Sequence, residues 1–240
     1  MAAKDKIILA LDVSTEREAV DMVGELKDLV GAFKIGLELF TSVGPSIFDS
    51  VRNAGAERIF FDGKFHDIPN TVAGAARAAV RMGVWMFNVH APGGTAMMRA
   101  AADAAAEESR KLGVETPIII GVTVLTSISP EMLRHELSVP TLLENQVTHL
   151  ARLAQNSGLN GVVASPQEIV PVKAACGPEF LVVTPGVRPV WAAKNDQARI
   201  MTPAEAVRAG ADYMVIGRAI TAADNRRAAA ERVIEELESA

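Results

Sequence analysis

Apolar runs alternate along the chain with segments in which apolar residues recur every three to four positions. Eight runs have the length and composition of buried strands: residues 7–11, 33–40, 59–61, 84–89, 118–122, 161–164, 180–183 and 213–216. The segments between them have the amphipathic period of helices that pack one face against a sheet. A regular alternation of strands and helices predicts a parallel sheet with helices outside it.

The boundaries between these segments also repeat. Five predicted helices end at a glycine, the residue that most easily adopts the left-handed conformation of a helix end: Gly55, Gly83, Gly113, Gly158 and Gly210. Two helix starts, at residues 165–168 and 202–205, combine a capping box with proline at the first helical position. Eight strand–helix units in 240 residues favour a closed (β/α)8 TIM barrel, typically about 250 residues long, over an open doubly wound sheet. Because no linker or low-complexity segment interrupts the pattern, residues 1–240 are predicted to form a single domain.

Composition and charge narrow the class of protein. The chain is 49% hydrophobic and 22% charged, which is ordinary for a globular protein. A net charge of −5 argues against a nucleic-acid partner, so a few positive groups aimed into a site would have to attract any anionic ligand. No apolar segment near the start is long enough for a signal sequence or a membrane span, and no membrane partner is expected.

Cys176 is the only cysteine, so the chain has no intrachain disulfide and is expected to reside in a reducing, cytoplasmic compartment. Its neighbours resemble a helix end, which favours a packed or surface thiol over a nucleophile.

The segment 62–71, directly after the third apolar run, carries the densest chemical pattern. Because successive side chains of a strand point to opposite faces, Phe60, Asp62 and Lys64 are predicted to share one side. Asp-x-Lys alone is a short pattern that an exposed polar turn also matches. Its position after a buried strand, with Asp67 three residues later, favours a functional interpretation, since unpaired buried charge is costly.

Polar residues lie at or near the carboxyl ends of most of the predicted strands, and in a barrel these ends converge on one mouth. These residues are Asp12, Lys34, Asp62, Lys64, Asn88, His90, Thr126, Ser127, Ser165, Arg188 and Arg218. Any one of them could have a structural role: Asp12 could cap the first helix, and Asn88 and His90 could support other site residues. Lys34 interrupts an apolar strand and needs an acid such as Asp12 or Asp62. A row of alternating acids and amines would pair every charge.

The last third of the chain carries a candidate phosphate site. Gly217 and Arg218 follow the eighth strand, where barrels commonly bind phosphate at the start of a short extra helix. The alternative is an exposed arginine after a tight turn. The loop 184–200 is long for a strand–helix connection and is predicted to act as a lid, with Arg188 as a second phosphate ligand and Gln197 contacting substrate and loop.

Taken together, these residues resemble the orotidine 5′-monophosphate decarboxylase family, in its bacterial type, over nearly the whole chain. The segments that carry the resemblance are Leu11-Asp12, Lys34-Ile35-Gly36, residues 62–71, Leu125-Thr126-Ser127, and residues 184–189, 196–199 and 216–220. The Asp-x-Lys-x-x-Asp core alone is shared with sugar-phosphate relatives, whereas the combination of segments is highly specific.

The resemblance implies decarboxylation of orotidine 5′-monophosphate to uridine 5′-monophosphate in de novo pyrimidine biosynthesis, without a metal or organic cofactor. It also implies a homodimer in which Lys34, Asp62 and Lys64 of one subunit meet Asp67 and Thr71 of the other. Lys64 would stabilise and then protonate the carbanion left at carbon six of the pyrimidine. Asp62 and Asp67 would keep this lysine charged and oriented.

The resemblance also implies a set of nucleotide contacts. The ribose hydroxyls would be held by Asp12 and Lys34. The pyrimidine or the closed lid would be contacted by Thr126, Ser127 and Gln197. The phosphate would be bound by Arg188, Gly217 and Arg218.

Two other functions remain open from the residues alone. A sugar-phosphate lyase of the same barrel type would stabilise an enediolate on a magnesium ion and needs an extra acidic ligand at strand two. No such ligand stands out in the sequence, although Glu38 is a candidate. A non-catalytic nucleotide-binding barrel would keep Arg218 and the lid but would not need Lys64 beside two aspartates. Metal dependence and turnover distinguish the three.

Overall fold

Eight parallel strands form a closed barrel in the computed structural model, which describes residues 2–191 and 201–239. The strands follow one another in chain order, and the eighth pairs with the first. They are β1 Ile7–Ala10, β2 Ala32–Ile35, β3 Ile59–Phe65, β4 Met86–His90, β5 Ile118–Val122, β6 Gly161–Val163, β7 Leu181–Thr184 and β8 Tyr213–Ile216. The predicted TIM barrel is therefore confirmed.

Helices connect the strands on the outside of the barrel. In the described ranges they are α1 Glu16–Leu26, α2 Leu37–Val43, α3 Ile47–Asn53, α4 Pro69–Arg81, α5 Gly94–Leu112, α6 Pro130–His135, α7 Leu143–Asn156, α8 Ile169–Cys176, α9 Pro203–Ala209, α10 Arg218–Thr221 and α11 Arg226–Glu238. Short 3-10 helices cover Ala3–Lys6, Ala91–Gly93 and Pro166–Glu168. Among residues 2–191 and 201–239, no helix has both the length and the apolar character that crossing a membrane requires.

The predicted helix boundaries are largely confirmed. All five glycines proposed as helix ends have positive φ angles, between 66° and 114°. At the start of α9, the Glu205 N–H donates to the Thr202 hydroxyl at 3.2 Å, and the Thr202 N–H donates to the Glu205 carboxylate at 2.9 Å. This reciprocal pair satisfies two main-chain donors that the helix itself leaves without partners.

The second strand is shorter than predicted. The prediction covered residues 33–40, but β2 ends at Ile35 and α2 begins at Leu37. In α2, Leu39 is buried and Leu37 is exposed, so the apolar residues of this segment serve one face of a helix. Over so few residues the strand and helix periods overlap, and the pattern alone does not distinguish them.

The barrel core has two layers because strand side chains alternate between the interior and the helices. The inner layer contains Ile8, Ala32, Phe60, Met86, Ile120, Val183 and Tyr213. The opposite faces of the strands pack against the helices in a larger apolar cluster. At the amino end, the rings of Trp85 and Tyr213 pack edge to face with centroids 5.2 Å apart. Apolar side chains thus fill the interior of the barrel. The polar residues lie above this layer, at the carboxyl ends of the strands.

Candidate active site

A cavity of about 280 Å³ lies at the carboxyl ends of the strands. Asn88, which the sequence suggested as a support, lines this cavity. Eight of the predicted site residues line it as well: Asp12, Lys34, Asp62, Lys64, Thr126, Arg188, Gly217 and Arg218. They come from the first, second, third, fifth, seventh and eighth strand–helix units, so residues distant in sequence converge on one mouth, as the barrel topology requires.

Four charged side chains form a continuous row across three neighbouring strands. Lys34 Nζ lies 3.2 Å from Oδ1 of Asp12 and 3.3 Å from Oδ2 of Asp62. Lys64 Nζ lies 2.7 Å from the other oxygen, Oδ1, of Asp62. The predicted alternation of acid and amine is thus present, and each charge in the row has an opposite neighbour. Such pairing is what permits Lys34, only 8% exposed, to be buried as a cation.

The electrostatics of the row keep Asp62 ionised. Burial by itself would raise the pKa of this carboxyl. The charges of Lys34 and Lys64, together with hydrogen bonds from Lys64 and Asn88, outweigh burial and hold the pKa below its ordinary value. Asp62 is therefore a carboxylate at neutral pH, positioned to hold the Lys64 ammonium in one place.

Lys64 lies in the cavity, at an irregular part of β3. The sequence predicted a strand over residues 59–61, but β3 continues to Phe65 and is irregular against β4 between Phe61 and Phe65. Within this irregularity Lys64 has a φ of 49°, a left-handed conformation that is uncommon for residues other than glycine. Phe60, Asp62 and Lys64 all line the cavity, as the alternation of side chains predicted.

Gly36 provides space for the lysine of β2. A methyl group at this position would lie 3.0 Å from Nζ of Lys34 and 3.8 Å from Oδ1 of Asp12. A side chain at this position would therefore require the Lys34 ammonium to shift by a few tenths of an ångström. In the sequence, the position of Gly36 directly after a lysine-bearing strand is the signal for this role.

Several predicted site residues do not reach the cavity within one chain. Asp67 and Thr71 are exposed and do not line it, and Oδ1 of Asp67 accepts a hydrogen bond from the Ile68 N–H at 2.6 Å. Ser127 is also exposed and lies outside the lining. Gln197 lies outside the described residues, so the structure places none of its atoms.

Glu38, the alternative metal ligand, also lies outside the cavity lining. It is exposed in the first turn of α2, where its carboxylate accepts a hydrogen bond from the Ser14 hydroxyl at 2.6 Å. In the described ranges, no three histidine, cysteine, aspartate or glutamate side chains are grouped as metal ligands would be.

Two further titratable residues were considered from the sequence. His90 does not line the cavity; its ring lies 5.3 Å from that of His66, and burial followed by repulsion from His66 and Lys64 lowers its pKa. Cys176 is half-buried at the end of α8, and burial raises the pKa of its thiol. A raised thiol pKa disfavours the reactive thiolate, as expected for a packed cysteine.

The chain is similar to proteins of one named family. A model of the Orotidine 5'-phosphate decarboxylase / HUMPS family matches residues 5–233. The Orotidine 5'-phosphate decarboxylase of Moorella thermoacetica is 55% identical over 238 residues, covering 99% of this chain and 94% of that protein. Its counterpart from Syntrophomonas wolfei is 52% identical over 239 residues, which cover 99% of this chain and 100% of that protein. The crystal structure of the Orotidine 5'-phosphate decarboxylase from Lactobacillus acidophilus has a TM-score of 0.85 at 36% identity, covering 96% and 98%.

Proposed function

The chain belongs to the Orotidine 5'-phosphate decarboxylase / HUMPS family, and from this premise we propose that it converts orotidine 5'-phosphate to uridine 5'-phosphate in pyrimidine biosynthesis. Such an enzyme is a carboxy-lyase. The single observation that supports the proposed chemistry best is the Lys64 ammonium held in the cavity by Asp62 at 2.7 Å.

The proposed reaction needs a proton donor beside a developing negative charge. The bond between carbon six and the carboxylate carbon breaks, carbon dioxide leaves, and the electron pair stays on carbon six. The Lys64 ammonium stabilises this charge and then transfers a proton to carbon six, becoming an amine that solvent reprotonates. Asp62 holds the ammonium in place before the bond breaks. Preorganised charge of this kind contributes to the rate because it does not have to reorganise during the reaction.

The rest of the cavity is assigned to the sugar and phosphate. Asp12 and Lys34, joined at 3.2 Å, are proposed to hold the ribose hydroxyls. Arg188 and Arg218 line the cavity and carry the guanidinium groups suited to two phosphate oxygens, with Gly217 letting the phosphate approach the backbone. Thr126 lines the cavity as well and is proposed to contact the pyrimidine, with Ser127 and Gln197 completing the contacts when the lid closes. Binding energy from the phosphate can then drive closure and so contribute to catalysis at carbon six.

We also propose a homodimer with shared active sites. Asp67 and Thr71 are exposed beside the cavity-lining segment of β3, and Ile68 between them leaves 67% of its surface exposed. An exposed isoleucine near exposed polar residues is a suitable centre for contact with a second subunit. In the dimer, the partner's Asp67 would complete the pairing of Lys64, and the partner's Thr71 would contact the nucleotide.

Metal independence and a cytoplasmic location are part of the same proposal. In the charged row each carboxylate pairs with a lysine, so the carboxylates are not grouped to bind a metal ion. The Glu38 carboxylate accepts a hydrogen bond from Ser14. These features favour charge stabilisation by Lys64 over stabilisation by a metal ion. The cytoplasmic assignment rests on the single cysteine and on the metabolic role.

The decisive experiment is turnover of orotidine 5'-phosphate by the purified protein in excess chelator, followed by ultraviolet absorbance. Release of uridine 5'-phosphate is expected and would support both the reaction and its metal independence. If the protein instead transforms sugar phosphates, and only when magnesium is added, the proposed function is wrong and the protein is a sugar-phosphate lyase. A folded protein that transforms neither substrate would support the binding-only function.

A further inference from the structure

Asn88, in the middle of β4, faces the irregular part of β3. Phe61 pairs with Phe87 and Phe65 pairs with Val89, so three residues of β3 lie opposite Asn88 alone. An excess of residues on one strand leaves main-chain groups without their usual partners across the ladder. Asn88 is 1% exposed, which means that its own amide must find partners inside the protein.

The Asn88 side chain makes two hydrogen bonds to the residues of this irregularity. Its Oδ1 accepts the main-chain N–H of Lys64 at 2.7 Å. Its Nδ2 donates to Oδ1 of Asp62 at 2.7 Å, and the same oxygen accepts a hydrogen bond from Lys64 Nζ at 2.7 Å. One amide therefore holds both ends of the Asp62–Lys64 pair: the backbone from which the lysine departs and the carboxylate oxygen that receives its ammonium.

We propose that Asn88 is a positioning residue that fixes the location of the Lys64 ammonium through these two hydrogen bonds. The inference rests on the proposed function, because Lys64 is assigned there as the proton donor. Asn88 itself need not touch the substrate; it acts through Lys64 and Asp62. Without its carbonyl oxygen, the Lys64 N–H loses its partner and the left-handed backbone at φ 49° loses a restraint. Without its amide nitrogen, Asp62 keeps its charge partners but loses one of the two hydrogen bonds that Oδ1 accepts.

The first test compares Asn88→Ala with Asn160→Ala. Asn160 is a matched control because its Oδ1 also accepts a main-chain N–H from the neighbouring strand, that of Ile119 at 2.8 Å, at the opposite end of the barrel. Asn88→Ala is expected to lower kcat by roughly 10²-fold while KM changes by less than about threefold, since misplacement of a reacting group affects the chemical step. Asn160→Ala should leave kcat unchanged. A folded Asn88→Ala protein with kcat within about threefold of wild type would overturn the proposal.

The second test uses Asn88→Asp, which keeps the shape of the side chain and serves if the alanine variant does not fold. The introduced carboxyl retains an acceptor for the Lys64 N–H. It can donate to Asp62 only while protonated, so kcat relative to wild type is expected to fall as the pH rises. Once ionised, the new carboxylate repels Asp62. A kcat profile parallel to that of wild type across the pH range would count against the positioning role.

The third test needs no substrate and therefore separates this inference from the proposed function. Acetylation of Lys64 by acetic anhydride is followed by peptide mass spectrometry in the ligand-free protein, with the exposed Lys111 as internal reference. Loss of positioning in Asn88→Ala or Asn88→Asp should raise the Lys64 to Lys111 labelling ratio several-fold, whether or not the wild type transforms orotidine 5'-phosphate. An unchanged ratio in the folded variants would refute the role of Asn88 even if the proposed reaction is observed.

Discussion

Lys64 and Asp62 are joined by a 2.7 Å hydrogen bond across a single intervening residue of β3. In a regular strand, side chains two apart lie side by side without converging on one atom. Here the left-handed backbone of Lys64 and the irregular register of β3 bring its ammonium onto Oδ1 of Asp62. Oδ2 of the same carboxylate lies 3.3 Å from Lys34 Nζ, so one partly buried acid pairs with two lysines.

Lys64→Ala is expected to lower kcat by at least roughly 10³-fold, because in the proposed mechanism the variant loses both the charge that stabilises the carbanion and its proton donor. The fold should survive, since Asp62 remains paired with Lys34. Turnover and thermal unfolding would be measured together, with Lys111→Ala as the control, an exposed lysine paired with Glu107 on α5. Near-normal turnover would remove Lys64 from its assigned role.

Mixing two inactive variants tests whether the active sites are shared. Asp67→Asn and Lys64→Ala should each be nearly inactive. In a heterodimer, one site carries both changes and the other carries neither. Exchange between equal amounts should restore roughly a quarter of native sites. If subunit exchange is confirmed by native mass spectrometry and activity does not return, Asp67 does not act across the interface.

Arg218→Ala is expected to reduce kcat/KM for orotidine 5'-phosphate by roughly 10²-fold, because the guanidinium proposed to bind phosphate oxygens is lost. The same change should leave kcat/KM for the nucleoside orotidine nearly unaffected, since that compound has no phosphate. Steady-state kinetics on both compounds give the comparison. Arg17→Ala, on the exposed surface of α1, is the matched control. An equal loss on both compounds would assign Arg218 a role other than phosphate binding.

Asp28 provides a pH-dependent contribution to stability. The bidentate hydrogen bond from Arg227, at 2.8 and 2.9 Å, lowers the pKa of Asp28 from 3.8 to about 2. At pH values between these two pKa values, the folded state therefore binds fewer protons than the unfolded state. The stabilisation is complete above about pH 4 and is lost as the pH falls toward 2.

For this exposed pair we expect Asp28→Asn to lower the free energy of unfolding by no more than ~1 kcal/mol at pH 7. Urea denaturation at a series of pH values should show that the free energies of unfolding of the variant and the wild type become more similar below about pH 4. Asp103→Asn, at an exposed position of α5 for which the described ranges contain no ion pair, is the control. If the two free energies of unfolding differ by the same amount at every pH, the charge of Asp28 is not the cause of the loss of stability.

Gly161→Ala tests the packing of the barrel at the start of β6. A methyl group there would collide with the carbonyl oxygen and Cβ of Leu181 on the neighbouring strand. We expect a loss of more than ~2 kcal/mol in the free energy of unfolding, because backbone on both sides must move. Gly24→Ala in α1, where a methyl group meets no atom within 4 Å, should instead stabilise by ~1 kcal/mol through helix propensity. Equal effects in urea denaturation would show that β6 relaxes around the added group.

The barrel could be predicted from the sequence because its signal is repeated. Eight apolar runs and five glycine helix ends support one another, so an error in one unit does not change the architecture. The boundary between β2 and α2 could not be predicted, since the segment 33–40 is too short to separate the two periods. Whether this segment forms a strand or a helix depends on how Leu39 packs, and the packing of Leu39 is decided only when the core assembles.

By itself, the sequence determined the fold class and the residue types that line its mouth, because local patterns and the order of strands suffice for both. Only the tertiary structure decided that Asp12, Lys34, Asp62 and Lys64 touch in that order. It also decided that Asn88, first regarded as a possible support, bonds to both members of the Asp62–Lys64 pair. These contacts depend on the register between neighbouring strands and on one irregularity in β3, and no local pattern along the chain encodes the distance between side chains on different strands.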